Sequence, residues 1–457
     1  MQKNKADLGT APVGKLLFRL AVPTVVAQLI NMLYNIVDRI YIGHIPEVGS
    51  LALTGVGVCM PLIMIVSAFA ALAGAGGAPR ASIFMGKGQN ENAEKTLAGC
   101  FSLLCIVAVA LTVVLLTWSR DLLLAFGASS NTIGYAADYL KIYAIGTVFV
   151  QLTLGMNAFI TAQGFAKQGM LSVLIGAVCN IALDPVFIFG FGMGVKGAAL
   201  ATILSQAASA TWVLLFLTGK TTILKLKVKN LNLKPAIVLP CVALGMATFI
   251  MQSTESVISV CFNTSLQKYG GDVAVGAMTI LTSVMQFAML PMQGIGQGAQ
   301  PIMSFNYGAG AADRVKKTFR LLLTVSLSYS LVIWACIMLM PQVFAGIFTP
   351  DATLLNFTAK ALRIYCAALG IFGIQIACQM AFVSLGQALC SMTVAIMRKF
   401  VLLLPLIYLV PNLVSDKTMG VYMAEPVADV LAVTFTAVLF FFVFRKAMKK
   451  LEEKKIA

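Results

Sequence analysis

Asp184 stands in CNIALDPVFIFG, residues 179–190, inside an otherwise apolar run. A carboxylate at membrane depth costs about 2.5 kcal/mol or more on insertion scales, so it marks a functional site by default. Asn180 lies four residues earlier and shares its helical face. Pro185 cannot donate a backbone hydrogen bond, and it frees the carbonyl of Ile181 one turn back. The next apolar run, GAALATILSQ, places Thr202, Ser205 and Gln206 within reach of a common face. A second acid, Asp38, closes a polar stripe of Gln28, Asn31, Asn35 and Asp38, whose spacing of 3, 4 and 3 puts all four on one face. Carboxylates and neutral oxygens in dry surroundings suit Na⁺ or a shared proton. Calcium and magnesium usually ask for more carboxylates than these. Plainer roles stand beside this one: Asp184 bonding between helices, Asp38 pairing with the adjacent Arg39, and Thr202 packing as threonines commonly do in membranes.

A second set of charges lies later in the chain: Glu255, Arg398, Lys399, Glu425 and Asp429. Glu425 and Asp429 are one turn apart in YMAEPVADV, again beside a proline. Opposite signs suggest mutual neutralisation, so a structural ion pair competes with a proton or substrate site. Met285, Met289 and Met292 share one helical face, which suits either an adaptable pocket or ordinary packing. Glu255, Arg398, Asp429, Met285 and Met289, with Gln28 and Asn35, are therefore candidates for substrate or proton contacts.

These residues need elements that can hold them in lipid. Of 457 residues 59% are hydrophobic and only 11% charged, which is the composition of a membrane protein. Apolar stretches of spanning length recur about twelve times, near 16–37, 51–74, 97–118, 139–161, 169–190, 198–218, 237–262, 273–296, 318–340, 361–384, 391–411 and 420–443. The expected fold is all-α, with two six-helix bundles at 1–218 and 236–445. They are joined by the polar linker 219–235 and followed by a basic tail at 446–457. The first apolar run is too long, and lacks the small-residue cleavage site, for a signal peptide.

Lysine and arginine placement gives an orientation. With the N-terminus inside, the inner face receives Lys3, Lys5, Lys15, Arg19, the 80–95 loop, the five lysines of 220–234, the 314–320 cluster and the RKAMKKLEEKK tail. The outer loops keep isolated charges such as Lys196, Lys268 and Lys417. This is the positive-inside pattern, and it accounts for the net charge of +16 without nucleic acid. Both termini are expected in the cytoplasm of a multi-pass plasma-membrane protein. Ten dispersed cysteines with no CxxC pair argue against a disulfide framework or zinc site. A single histidine, His44, leaves little for imidazole catalysis. No cofactor is expected beyond Na⁺, and an intramembrane enzyme is a poor reading.

The halves repeat. Adding 222 carries Pro79 to Pro301, Ser82 to Ser304, Gly86 to Gly308, Gly88 to Gly310, Thr96 to Thr318 and Gly164 to Gly386, and turns LKIY (Leu140–Tyr143) into LRIY (Leu362–Tyr365). Each unit has an even number of spans, so the two insert in the same orientation, a plan common among transporters. The copies differ in their charges. An offset of 224 places Gln252, Glu255 and Ser259 beneath the first stripe but lands Asp38 on Phe262, and an offset of 220 sets Asp184 opposite Leu404. Both acids belong to the first half alone.

AVPTVVAQLINMLYNIVDRIYIG, PIMSFNYGAG and NIALDPVFIFGFGMGVKGAALAT together resemble the multidrug and toxic compound extrusion (MATE) transporters, in particular a bacterial multidrug-efflux branch, over essentially the whole chain. The resemblance implies twelve helices in two lobes and export of cationic, amphipathic compounds by alternating access in exchange for Na⁺ or H⁺. It implies a cation site at Asp38, Asn180, Asp184 and Thr202. Its partners would be small cationic substrates, the coupling ion and the bilayer, with the protein a monomer. Other branches of the family use acids in the seventh and tenth helices. Glu255 matches the first of these, but GIQIACQMAFVSL in the tenth has no acid, which argues against a second-lobe ion site. The competing function is a lipid-linked oligosaccharide flippase of related architecture. That would need a strongly cationic cavity, for which Arg398 and Lys399 are the main candidates.

Overall fold

The computed structural model describes residues 8–231 and 233–456. Lys3 and Lys5 lie outside them, as do Asn232 of the linker and the side chains of Lys454 and Lys455. Among the described residues the chain forms helices and no strand. The first half runs α1 (Val13–Gly43), α2 (Gly49–Gly86), α3 (Asn90–Thr117), α4 (Ser119–Ala125), α5 (Ile133–Ile145), α6 (Thr147–Ala162), α7 (Ala166–Pro185) and α8 (Val195–Thr218). The rest runs α9 (Pro235–Gly308), α10 (Ala312–Leu339), α11 (Pro341–Gly346), α12 (Ala352–Tyr365), α13 (Phe372–Ser384), α14 (Ala388–Ile396), α15 (Leu404–Leu409) and α16 (Lys417–Ile456).

Among the described residues nine helices are long and apolar enough to cross a bilayer, and two bent pairs, α5 with α6 (58°) and α12 with the segment Leu369–Ser384 (44°), raise the number to 11. The 74 residues of α9 would extend about 110 Å as one rod, far beyond a hydrocarbon core of about 30 Å. Gly271 (φ 63°, ψ −158°) breaks it, in a conformation open to a residue without a Cβ. The twelve spans expected from the sequence require this division.

The repeat shows in detail. The short helices α4 and α11 begin 222 residues apart, and so do α3 and α10. Each half also contains a stretch of wide π-helical turns, Val186–Gly190 after Pro185 and Met397–Leu403 before Pro405. Such turns recur at functional sites, and here they adjoin Asp184 in one half and carry Arg398 and Lys399 in the other.

The halves are joined at one end. A Cβ on Gly86 would stand 2.0 Å from the Phe305 carbonyl oxygen, and one on Gly308 would stand 2.0 Å from that of Ile83. Only glycine lets α2 and α9 approach so closely. The hydrogen bonds between the halves among the described residues lie toward this end. Thr24 donates to the Gly294 carbonyl (2.6 Å), Ser82 to that of Pro301 (3.4 Å), and Arg314 and Asn306 to that of Leu8 (3.1 and 2.8 Å). α1 belongs to both sides. Leu16, Leu17 and Leu20 pack with Ile302 and Phe382, whereas Ile42 packs with Tyr139 and Tyr143.

The linker is held to the first half. Gln163 Oε1 accepts from Thr222 Oγ1 (2.9 Å) and from the backbone N–H groups of Ile223 and Leu224 (both 2.8 Å). Glu94 accepts from Lys225 N and pairs with Lys227.

Candidate functional site

Asp38 lies ten residues beyond Gln28 on α1, about 15 Å farther from the joined end. There α1 meets α7, and the Asp38 and Asp184 carboxyl groups come within hydrogen-bonding reach of each other. Asp184 is fully buried, and Asp38 and Asn180 are nearly so. Asn180 Nδ2 donates to Asp184 Oδ1 at 3.3 Å, one helical turn away on α7. Asp38 Oδ1, Asp184 Oδ2 and Asn180 Oδ1 are buried with no hydrogen-bond partner. Two ionised carboxylates cannot bond to one another. Their approach is stable with one proton shared between them or with a cation bridging them. Arg39 is exposed, and it supplies nothing to Asp38 Oδ1.

The neighbours extend the oxygen shell. Thr202 Oγ1 on α8 gives its proton to the Ala198 carbonyl (3.0 Å), which leaves its lone pairs free. Ser205 Oγ donates to the Thr202 carbonyl (2.7 Å), and Gln206 Oε1 is buried without a partner. Two tyrosines complete the surroundings. Tyr139 on α5 is buried beside Thr202 and Asp38, and Tyr34 on α1 lies beside Asp38 and Asn35. The sequence reading did not select either one. The available signal was the segment YLKIY, which brackets the repeat motif with tyrosines, but nothing local says that Tyr139 reaches α1.

The other candidates divide. Gln28 Nε2 donates to Gln297 Oε1 (3.2 Å), so it belongs to the seam between the halves. Asn35 bonds to the Asn31 carbonyl one turn back. Met292 is fully buried in the second-half core, with Met285 and Met289 packed against that core.

The second-half charges form one network. Arg398 Nε donates to Asp429 Oδ1 (2.9 Å) and Nη2 to Glu425 Oε1 (3.1 Å), while its guanidinium sits 4.7 Å from the centre of the Phe372 ring. Lys399 Nζ donates to Glu255 Oε2 at 2.7 Å. Tyr365, the counterpart of Tyr143, is buried among Glu425, Glu255 and Asp429. Phe262, at the position matching Asp38, packs edge-on against Tyr365 with ring centres 6.1 Å apart. An aromatic contact replaces an acid at equivalent places.

The MatE family model matches two stretches of the chain, 23–186 and 247–409. The chain belongs to the MatE family. The two matches begin 224 residues apart, which is the offset relating the stripes of α1 and α9. Among curated proteins it is similar to the multidrug export protein MepA of Staphylococcus aureus (strain NCTC 8325 / PS 47), at 25% identity over 372 residues, 80% of each chain. MepA of Staphylococcus haemolyticus is 24% identical over 362 residues, 79% of each. Among solved structures, a MATE protein in the bent conformation superposes with a TM-score of 0.91 at 21% identity over the full length of both chains. An outward-facing MATE family transporter of the MOP superfamily gives 0.90 at 22% identity over 99% of both. The MatE chain is thus a multi-pass, all-helical membrane protein with the fold of these structures.

Proposed function

We propose that this MatE protein exports small cationic, amphipathic compounds from the cell in exchange for Na⁺ or H⁺, and that the ion binds between Asp38 and Asp184. The observation that carries this reading is the buried pair of facing carboxyl groups, with three side-chain oxygens that lack partners. Asn180 and Thr202 supply neutral oxygens, and the Ala198 carbonyl holds the Thr202 hydroxyl in place. Ion entry removes the repulsion between the acids and lets α1 and α7 settle together. Ion release restores it. Because α1 packs into both halves, a change at Asp38 is carried toward the seam that closes one end. Each charge moving down the membrane potential supplies about 2.3 kcal/mol per 100 mV. The relatives named multidrug export proteins support export of drugs.

A flippase for lipid-linked pyrophosphates needs free cations deep in its cavity. Arg398 and Lys399 are both committed to carboxylates, which favours cation export instead. We assign the two six-helix lobes to 1–218 and 236–445, and place both termini and the linker in the cytoplasm of a monomeric plasma-membrane protein. Impermeant thiol reagents applied to intact cells are expected to modify a cysteine placed at Lys268 and spare one at Lys227; labelling at Lys227 would reverse the topology. For the ion site, Asp184→Asn keeps the side-chain shape and removes the charge. In proteoliposomes the variant is expected to bind drug but lose gradient-driven transport. Full coupled transport by a folded Asp184→Asn protein would make the carboxylate structural.

A further inference from the structure

We infer that the Lys399 ammonium is the resident cation of the second half, a tethered group occupying the place at Glu255 that a free monovalent cation would otherwise take. Three features carry this inference. The pair is one-sided: the Lys399 side chain is only 6% exposed while that of Glu255 is 56% exposed, so the carboxylate borders open space with the ammonium behind it. Gln252 and Ser259, on the same face of α9 and also exposed, would offer a mobile cation further oxygens. Arg398 cannot stand in for Lys399, because it is held by Asp429, Glu425 and the Phe372 ring.

Charge counting points the same way. Three carboxylates (Glu255, Glu425, Asp429) surround two cations (Arg398, Lys399), leaving one net negative charge. Removing Lys399 leaves two, the count of the Asp38–Asp184 pair, which no cation among the described residues meets in a salt bridge. The π-helical stretch Met397–Leu403 makes the arrangement feasible, since consecutive residues Arg398 and Lys399 are both buried in it. Lys399 is therefore a selectivity residue. By filling the second half permanently, it confines ion exchange to the first.

The inference is independent of the first-half reading, and its test is run with that site disabled. In an Asp38→Asn/Asp184→Asn background, thermal unfolding in detergent is compared in choline chloride, NaCl and methylammonium chloride at equal ionic strength. Methylammonium is the lysine head group without its tether. The background protein is expected to respond equally to all three salts. Adding Lys399→Met is expected to raise Tm by about 2 °C or more in 100 mM NaCl or methylammonium relative to choline. Glu255→Gln in the same protein should abolish that gain, and Lys399→Arg should behave as the background. If Lys399→Met does not fold, Glu255→Gln alone is compared with Glu255→Gln/Lys399→Met. The double variant is expected to be the more stable, because it no longer strands a buried ammonium. No cation-specific gain in the Lys399→Met protein overturns the assignment, and so does a double variant no more stable than Glu255→Gln. Failure of the Asp38–Asp184 reading has a different signature: a wild-type protein without ion response, with the Lys399→Met gain intact.

Discussion

The first half holds two carboxyl groups face to face with no salt bridge to a cation among the described residues, whereas the second half surrounds two cations with three carboxylates and leaves none of those acids without a partner. The backbone frames are closely alike. A proline, a repeated tyrosine and bent fourth and tenth spans recur at matching places, and each half has wide helical turns beside that proline, after it in the first half and before it in the second. The charges differ most clearly in the side chains, where the repeat matches Asp38 with Phe262 and Asp184 with Leu404. A duplicated scaffold can thus keep its packing while one copy becomes responsive and the other fixed. Unsatisfied buried charge invites a mobile ion; satisfied buried charge resists change.

The contrast is most exposed to failure at Arg398. Arg398→Met strips two buried carboxylates of their cation and is expected to cost about 3–5 kcal/mol in thermal unfolding. A near-neutral result would mean the second-half network is not fixed. Where the halves are alike, effects should match. Gly86→Val and Gly308→Val each force a side chain onto a backbone carbonyl of the opposite half, and each is expected to destabilise by about 1–3 kcal/mol, equally within error. Unequal losses would break the symmetry of the seam.

Smaller still is the contrast at Glu94 and Lys316, equivalent positions of opposite sign. Glu94 holds Lys227 and the Lys225 N–H of the linker, and Lys316 holds Glu452 of α16. Neutralising either is expected to cost under about 1 kcal/mol. Glu94→Gln alone should speed tryptic cleavage within 225–229. Asp38→Asn closes the series. Removing one of two facing charges relieves repulsion, so stability should hold or rise. A large loss of stability from Asp38→Asn would place it among the structural charges.

Much of this was legible in the chain because it is local or periodic. The four-residue spacing of Asn180 and Asp184 becomes a hydrogen bond, and the offsets of 220 to 224 identify where the copies diverge. Partners brought together by tertiary packing were not legible. Lys399 and Glu255 are 144 residues apart, and Tyr139 reaches Asp38 from another helix. The acids of the second half could be counted from the sequence, but which cation each would meet depends on packing that a helical period does not encode. The short helices α4 and α11 escaped for another reason: at seven and six residues they are too brief to show a helical period. The linker, read as a polar connection, is fastened by Gln163, whose role depends on backbone N–H groups brought to it from 60 and 61 residues away.

The central claim is that ion coupling resides in the first half. It is tested most directly by one transport experiment in proteoliposomes, following a fluorescent cationic dye driven by an imposed Na⁺ or proton gradient. The Asp184→Asn protein is compared with the charge-balanced double variant Glu255→Gln/Lys399→Met. The expected result is loss of gradient-driven transport in Asp184→Asn with dye binding retained, and persistent coupling in the double variant. Coupling that survives in Asp184→Asn and vanishes in the double variant would contradict the account.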